Sequence, residues 1–434
     1  MRTLYDILLQ DKDFYEIPDS ICADTSVTNP TAFLNWLSSA TDKKINIGDF
    51  RVLQPWMLTA IAALSRRELE RRIYPICEQG RSTAKFANEL GLTRIINSDA
   101  DATNQEFGRT VKLHRINDYA KIENLADRIA KLAIDEDCGS NEYFDANETE
   151  FTLKYILIEL LRNVIQHSAD LHGGVVVAQR MDQGNDYIQE KAIQICVVDN
   201  GCGIFNSLKT MHPDITDNKI ALERALWPSL SGRFPKGDSG SSQNAGMGLF
   251  VISELVKRLA GRMLIVSGDN ALLLEGSLEE SNKIKFLDCK FNGTLIVVDI
   301  PKRSVADFEE LFTRIRETAI ERSISKRKIS FIKFDNIPEN ILKIKLHVAN
   351  ENTVDAEEYS KKYLIPLIEK GTKLCLDFSG FKITTQSFLH AILFNTLKLA
   401  YAKNVQIYAI NLTPAVKDCI LLLEWYTLGT DLQK

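Results

Sequence analysis

The stretch FTLKYILIELLRNVIQHSA, residues 151–169, is apolar on nearly every side and yet carries a carboxylate at its centre. Its pattern predicts an α-helix that is buried on most of its surface. Glu159 lies inside this helix, where an unpaired carboxylate is costly. Asn163 and His167 follow at steps of four residues, so the three side chains project from one helix face. This face indicates either a buried Glu paired with an Arg or Lys, or a functional carboxylate.

A second carboxylate comes at the end of a predicted strand, KAIQICVVD (191–199). Asp199 closes that strand and is followed at once by Asn200, Gly201, Cys202 and Gly203. A carboxylate in this place can accept a hydrogen bond from an exocyclic amine, and the glycines would let a flat base or a phosphate come close. A tight turn after a strand explains the same residues equally well.

A glycine pair opens the next predicted helix, in QNAGMGLFVISELVKRLAG (243–261). Free backbone N–H groups at a helix N-terminus form an anion site that suits phosphates. The sequence G-x-x-x-x-G-K-[ST] is absent, so this is not a Walker A loop, and a simple helix cap after a loop is the alternative. Further on, Gly293 and Thr294 begin a predicted strand, 294–301, that follows another at 283–289.

In this order and spacing, the four elements together resemble the GHKL ATPase family of gyrase, heat-shock chaperone, histidine kinase and mismatch-repair ATPases. The resemblance covers about residues 145–301. ELLRNVIQHS (159–168) resembles the N box of the family, VVDNGCGI (197–204) its first glycine box and AGMGL (245–249) its second. The resemblance implies that ATP and Mg²⁺ bind in a sandwich of helices on a sheet.

The resemblance also implies roles for the three polar side chains. Glu159 would position and activate a water molecule, Asn163 would supply a carbonyl oxygen to Mg²⁺, and Asp199 would bind the adenine amine. A single Asn agrees with Mg²⁺, which keeps several waters and takes few protein ligands. One departure is Arg162, which stands where many relatives carry Asp.

The glycines and the last strand receive supporting roles from the same resemblance. Gly201 and Gly203 would shape the base pocket, Thr294 would support Asp199 through its hydroxyl, and residues 205–245 would form a mobile lid. The backbone amides assigned to the phosphates are those of Gly246, Met247, Gly248 and Leu249. In keeping with such a site, 14 of the 22 glycines fall between Gly173 and Gly293.

Near the C-terminus, LDFSGFKITTQSFLHAIL (376–393) resembles a STAS-like domain, and the segment 45–64 repeats its strand, loop and helix more weakly. STAS domains are partners of GHKL protein kinases in bacterial sigma-factor switching, and the ATPase region looks most similar to that anti-sigma branch. Ser387 occupies the place of the Ser that accepts phosphate there, so it is a candidate phosphosite. A helix N-cap is the alternative, which we favour at this point.

The pattern of elements predicts an α+β fold: a two-layer GHKL α/β sandwich with a mixed, mostly antiparallel sheet, flanked by STAS-like α/β modules. The domains expected are 1–145, an N-terminal α/β region that resembles a diverged STAS-like module; 146–303, the ATP-binding domain; 304–328, a helical connector; and 329–434, the STAS-like domain.

The amino-acid composition bears on DNA binding, on the state of the cysteines and on the location of the protein. The 53 Lys and Arg residues against 58 Asp and Glu, a net charge of −5, do not favour DNA binding. Eight cysteines without a C-x-x-C pair indicate reduced thiols. No signal peptide or long apolar run is present, which predicts a cytoplasmic protein that does not enter a membrane.

Three functions remain open. The preferred one is an ATPase, a hydrolase that acts as a nucleotide-dependent switch in bacterial signalling or defence. It would act through its STAS-like modules, a protein partner or self-association, including a homodimer. The second is a Ser/Thr protein kinase of the anti-sigma type that phosphorylates a STAS-type partner or itself. The third is a nucleotide-binding scaffold without turnover.

Overall fold

The structure is a computed structural model that describes most of the chain in separate segments. They are residues 14–19, 21, 25–40, 43–65, 73–76, 82–97, 109–134, 146–170, 172–182, 188, 191–210, 212–228, 247–279, 281–301, 308–321, 331–346, 352–382 and 384–428.

The elements follow each other in three groups. The first group is α1 (Thr31–Ser39), β1 (Lys43–Asn46), α2 (Pro55–Leu64), β2 (Ile73–Ile76), α3 (Ser82–Glu89), α4 (Leu92–Asn97), β3 (Thr110–Ile116) and α5 (Tyr119–Ala133). The second is α6 (Ala146–His167), β4 (Gly174–Met181), β5 (Ala192–Asp199), α7 (Gly203–Lys209), α8 (Asn218–Ala225), α9 (Gly248–Arg258), β6 (Arg262–Glu275) and β7 (Lys283–Pro301). The third is α10 (Phe308–Glu321), β8 (Leu342–Lys345), α11 (Thr353–Tyr359), a π-helical turn (Ser360–Leu364), α12 (Ile365–Glu369), β9 (Leu374–Asp377), α13 (Gln386–Ala402), β10 (Ile407–Ile410) and α14 (Pro414–Leu428).

A five-stranded antiparallel sheet with the order β3-β4-β5-β7-β6 is the centre of the molecule. The antiparallel sheet of the predicted α+β fold is therefore confirmed. The two strands predicted at 283–289 and 294–301 are instead one strand, β7, because β6 pairs with it on both sides of an irregular step near Gly268. The polar residues between the two apolar runs do not end the strand.

Helices cover both faces of this sheet. Alternate residues of β4 point to opposite sides, so that Val176 and Ala178 join one apolar core and Val175 and Val177 join another. The first core lies under α5, α6 and α9, and the second lies under α2, every residue of which is buried. The N-terminal region thus adds a third layer to the sandwich. The domain boundary between residues 145 and 146 stays a prediction. Strand β3, which precedes this boundary, pairs with β4, which follows it.

The C-terminal unit, for which the sequence predicts the bounds 329–434, has a parallel three-stranded sheet in its described part, with the order β10-β9-β8. Alternation of strands with the helices α11 to α14 explains the parallel pairing, since such strands need a crossover connection. Its apolar side chains belong to the same core cluster as those of α6 and α9. The start of α13 is thereby held against α6.

A buried ion pair and a hydrogen bond join three neighbouring strands, β5, β7 and β6. The Arg262 Nε and Nη2 atoms on β6 donate to Asp299 Oδ2 on β7 at 2.9 and 2.6 Å, and Gln194 Nε2 on β5 donates to Asp299 Oδ1 at 2.9 Å. Both charged side chains are at most 1% exposed. We expect Asp299→Ala to lower the free energy of unfolding by about 3–5 kcal/mol, because Arg262 would stay buried without its carboxylate.

The measurement is urea unfolding of both proteins at neutral pH. Arg51→Ala is the matched control, because it breaks an exposed ion pair with Asp19 and should cost less than about 1 kcal/mol. Equal losses in the free energy of unfolding for the two variants would contradict the larger contribution expected of the buried ion pair.

Candidate functional site

One cleft lies between α6 and the sheet and is also lined by residues of α7, α8, α9 and α13. It holds about 830 Å³ of space not filled by atoms, including its open mouth, which is within the range of cofactor pockets. Its lining residues are Leu160, Asn163, Val164, His167, Ser168, Val197, Asp199, Gly203, Ile204, Ser207, Leu208, Ala225, Gly248, Leu249, Thr294, Ile296 and Ser387.

Most of the residues chosen from the sequence meet at this cleft. Those that line it are Asn163, Asp199, Gly203, Gly248, Leu249, Thr294 and the candidate phosphosite Ser387. Those that lie behind the lining are Glu159, Gly201 and Met247. Gly246 lies outside the described residues, as do residues 229–245 of the predicted lid. Residues 212–228 of that segment include α8 and lie beside β6.

Asp199 is the buried acceptor of the cleft. It ends β5 and is only 5% exposed, and its Oδ1 accepts the Gly201 N–H at 2.9 Å. Thr294 lies directly opposite on β7 and donates hydrogen bonds from its backbone and its hydroxyl. Burial raises the pKa of Asp199 to about 7, and the negative charge of Asp170 adds to this. The carboxyl group keeps acceptor capacity for a ligand amine.

Two glycines of the loop after β5 allow tight packing rather than a wide pocket. A Cβ on Gly201 would lie 1.9 Å from the Ser168 carbonyl oxygen at the end of α6. Gly203 has φ +74°, and a Cβ there would lie 2.8 Å from Ser267 Oγ. Gly201 therefore acts on the cleft only by holding the loop against α6, whereas Gly203 lines the cleft itself.

Glu159 is 1% exposed and is enclosed by the start of α13. The Ser387 hydroxyl donates to Glu159 Oε2 at 2.9 Å, and the Ser387 backbone N–H donates to Oε1 at 3.5 Å. Burial raises the pKa of Glu159, while the Arg162 charge and the bonds from Ser387 and Thr385 oppose the rise. A Cβ on Gly248 would lie 2.6 Å from Oε2, so a larger residue where α9 begins would displace this carboxylate. The carboxylate therefore lies between two helix N-termini.

The contact with the C-terminal unit is the part of the site that sequence reasoning missed. Arg162 donates from Nη1 to the Thr385 hydroxyl, and Gln166 Nε2 donates to the Thr353 hydroxyl at 3.2 Å. The unusual Arg162 was the one signal that could have indicated it. Thr385, not Ser387, is the N-cap of α13, since its hydroxyl accepts the Phe388 N–H. The N-cap interpretation of Ser387 is therefore wrong.

The described residues fit a phosphate and a Mg²⁺ ion. Met247, the N-cap of α9, makes no side-chain cap, which suits an anion at the first amides of that helix. The buried Asn163 Nδ2 has no hydrogen-bond partner, and because the two ends of an amide exchange by a flip, its oxygen can face a cation. Within the described ranges no three His, Cys, Asp or Glu residues form a metal site, and Mg²⁺ bound through phosphates needs none.

The raised pKa of Asp199 has a measurable consequence for stability. From about pH 4 to about pH 7 the folded protein holds a proton on Asp199 that the unfolded chain has released. The free energy of unfolding of the wild type should therefore fall as pH rises through this window, relative to Asp199→Asn, which cannot titrate. Urea unfolding of both proteins at about pH 5 and about pH 7.5 tests this, and parallel changes in the two would contradict it.

Comparison with known proteins agrees with the geometry of the cleft. Residues 148–304 match the family model described as histidine kinase-, DNA gyrase B-, and HSP90-like ATPase. A search of curated proteins finds no match to the chain. No helix in the described segments is both long and apolar enough to cross a membrane. Residues 148–304, which contain all but the first two residues of α6, the sheet strands β4 to β7 and most of the cleft lining, are thus a GHKL ATPase domain.

Proposed function

We propose that the cleft binds ATP with Mg²⁺ and that the bound nucleotide controls the contact between α6 and the C-terminal unit. The family match supports nucleotide binding at this domain. The observation that carries the control is that Ser387 of the C-terminal unit lines the cleft and at the same time binds Glu159 of the ATPase domain. Anything that enters the cleft therefore meets this contact.

In this proposal the adenine and the phosphates of the nucleotide each contact a complementary group of the protein. Asp199, held by Thr294, accepts the adenine amine, and the first amides of α9 bind the phosphates. Asn163 provides an oxygen ligand to Mg²⁺, which when bound would neutralise charge on the phosphates. Glu159 acts as the general base that takes a proton from the water molecule attacking the γ-phosphorus, and ADP and phosphate are the products.

The helix α6 provides the physical connection for such a switch. Glu159, Arg162 and Gln166 contact the C-terminal unit, while Asn163 and His167 of the same helix line the cleft. Spacings of three and four residues place these two sets on adjacent faces of one rigid element. A ligand that moves Asn163 or His167 therefore changes the contacts that the other face makes with the C-terminal unit.

The same proposal extends to the identity of the C-terminal unit and to the biological setting. The C-terminal unit is a STAS-like domain, and its release from α6 exposes a surface for a protein partner or for a second copy in a homodimer. The setting is bacterial signalling or defence in the cytoplasm. The alternation of strands and helices in this unit, with Ser387 in the first turn of α13, supports the STAS-like assignment.

Removing the acceptor for adenine should abolish tight binding. We expect Asp199→Ala to weaken the binding of MgATP by at least about tenfold, because a buried donor of the ligand loses its partner. Isothermal titration calorimetry provides the dissociation constants. Asp269→Ala, an exposed carboxylate on β6, is the control and should bind as the wild type does. Wild-type affinity in Asp199→Ala would refute the proposed site.

Removing the general base should separate binding from turnover. We expect Glu159→Gln to bind MgATP within a few-fold of the wild type and to cleave the γ-phosphate at least about 100-fold more slowly, because an amide cannot take up the proton. ADP formation, followed by chromatography, measures cleavage. A wild type that binds ATP without forming ADP would instead identify a scaffold.

A further inference from the structure

We infer that Arg162 and Thr385 are positioning residues for the Glu159 carboxylate, so that the general base of the ATPase domain depends on a hydroxyl group of the C-terminal unit. This inference rests on the proposed function and adds two residues to it. Both residues are at most 2% exposed, and neither lines the cleft. They therefore act through Glu159 rather than on the nucleotide itself.

The Thr385 hydroxyl joins α6 to α13. It accepts a hydrogen bond from Arg162 Nη1 of α6 and a second one, at 3.3 Å, from the Phe388 backbone N–H of its own helix. It donates its own proton to Glu159, which lowers the pKa of that carboxyl group. A hydroxyl has two acceptor lone pairs and one proton. All three are used here, so the two donors fix the direction of the proton toward Glu159.

Arg162 brings a positive charge to the same place. It follows Glu159 by three residues on α6, so the two side chains are neighbours on the helix surface. Burial raises the pKa of Glu159, and the charge of Arg162 is the largest effect that opposes this rise. The bond from Nη1 to Thr385 anchors the guanidinium group. Loss of the Thr385 hydroxyl would therefore remove a donor to Glu159 and also an anchor of Arg162.

The other elements that pack around Glu159 bring neutral groups to it. From α13, Ser387 donates its hydroxyl and its backbone N–H. From α14, Tyr426 lies close enough to interact with the Glu159 charge. Burial, followed by the effects of Cys419 and Glu159, raises the pKa of this phenol well above its usual value, so it stays neutral. α9 contributes Gly248, which has no side chain. Of these groups and Arg162, only Arg162 has a permanent charge.

The protonation state of Glu159 decides whether it can act as a base. A base must be ionised to take up a proton, and burial by itself favours the protonated carboxyl group. Arg162 and the hydroxyl donors favour the ionised form. The two positioning residues therefore help a carboxylate that is 1% exposed to accept a proton. A purely structural contact between α6 and α13 would leave this balance unchanged.

The first test is the pH dependence of kcat for ADP formation by the full chain with saturating MgATP. We expect Arg162→Met and Thr385→Val to move the acid limb of this profile to higher pH, because both changes favour the protonated carboxyl group. At about pH 6, kcat of Arg162→Met should fall at least about tenfold, since a nearby opposite charge shifts a carboxyl pKa by about one unit or more. The KM for MgATP should stay within about threefold of the wild type, because neither residue lines the cleft.

Conservative variants separate this role from a loss of packing. Arg162→Lys keeps the charge and Thr385→Ser keeps the hydroxyl, so each should have an acid limb closer to that of the wild type than its apolar counterpart has. Thr385→Val keeps the shape of the side chain, so the test does not depend on whether Arg162→Met folds. Arg314→Met is the matched control, because it removes an exposed arginine that pairs with Glu310 on α10, and its profile should equal that of the wild type.

The second test requires no turnover. Because the pKa of Glu159 is raised in the folded protein, a chain with Glu159 loses stability relative to Glu159→Gln as pH rises from the unfolded pKa to the folded pKa. Urea unfolding without nucleotide measures this difference in the free energy of unfolding. With Thr385→Val in both chains, the loss should extend to higher pH, because the folded pKa of Glu159 is then higher.

Three results would overturn the inference. They are an acid limb that both apolar variants leave unchanged, a loss of kcat that is equal at every pH, and a loss of stability that ends at the same pH with and without the Thr385 hydroxyl. Normal ADP formation with any of these leaves the proposed function intact. A wild type that forms no ADP refutes the proposed turnover instead, and the unfolding measurement then decides on the two positioning residues.

Discussion

The burial of the Glu159 carboxylate is the constraint on which the arrangement of the molecule depends. A carboxylate inside an apolar helix costs free energy unless it is hydrogen-bonded. Here the bonds come from Ser387, and a nearby positive charge comes from Arg162. Because Ser387 belongs to the C-terminal unit, satisfying Glu159 requires that unit to pack on the ATPase domain. The same contact places the hydroxyl of Ser387, a residue of the C-terminal unit, at the wall of the cleft.

The cleft itself is poor in charge. Its described lining contains no Lys or Arg, and its one carboxyl group, Asp199, has a pKa raised to about 7 by burial. A nucleotide would therefore meet partial charges rather than full ones, chiefly the amide dipoles at the start of α9. Such dipoles act more strongly where burial lowers the effective dielectric constant. This arrangement makes the metal ion and the fit of the helix ends important for holding phosphates.

The sheet supports this site from both sides. α6 and α9 rest on one face, and α2 with its neighbours covers the other, so β5, which carries Asp199, is buried along its length and β7 is buried over the residues that follow Thr294. Packed elements of this kind resist small displacements and transmit them as rigid bodies. The coupling that we propose between the cleft and the C-terminal unit would therefore pass through α6, which contacts both.

The sequence by itself determined the features that depend on neighbours along the chain. The end of a strand before glycines placed Asp199, and the periodicity of α6 placed Glu159 and Asn163 on one face. The three-dimensional structure alone decided that β7 is one strand and that α2 covers the sheet. It also decided that Ser387 binds Glu159 across 228 residues of sequence. The physical reason is that strand ends and helix faces follow from local geometry, whereas these contacts follow from which surfaces pack together, and no local pattern encodes that.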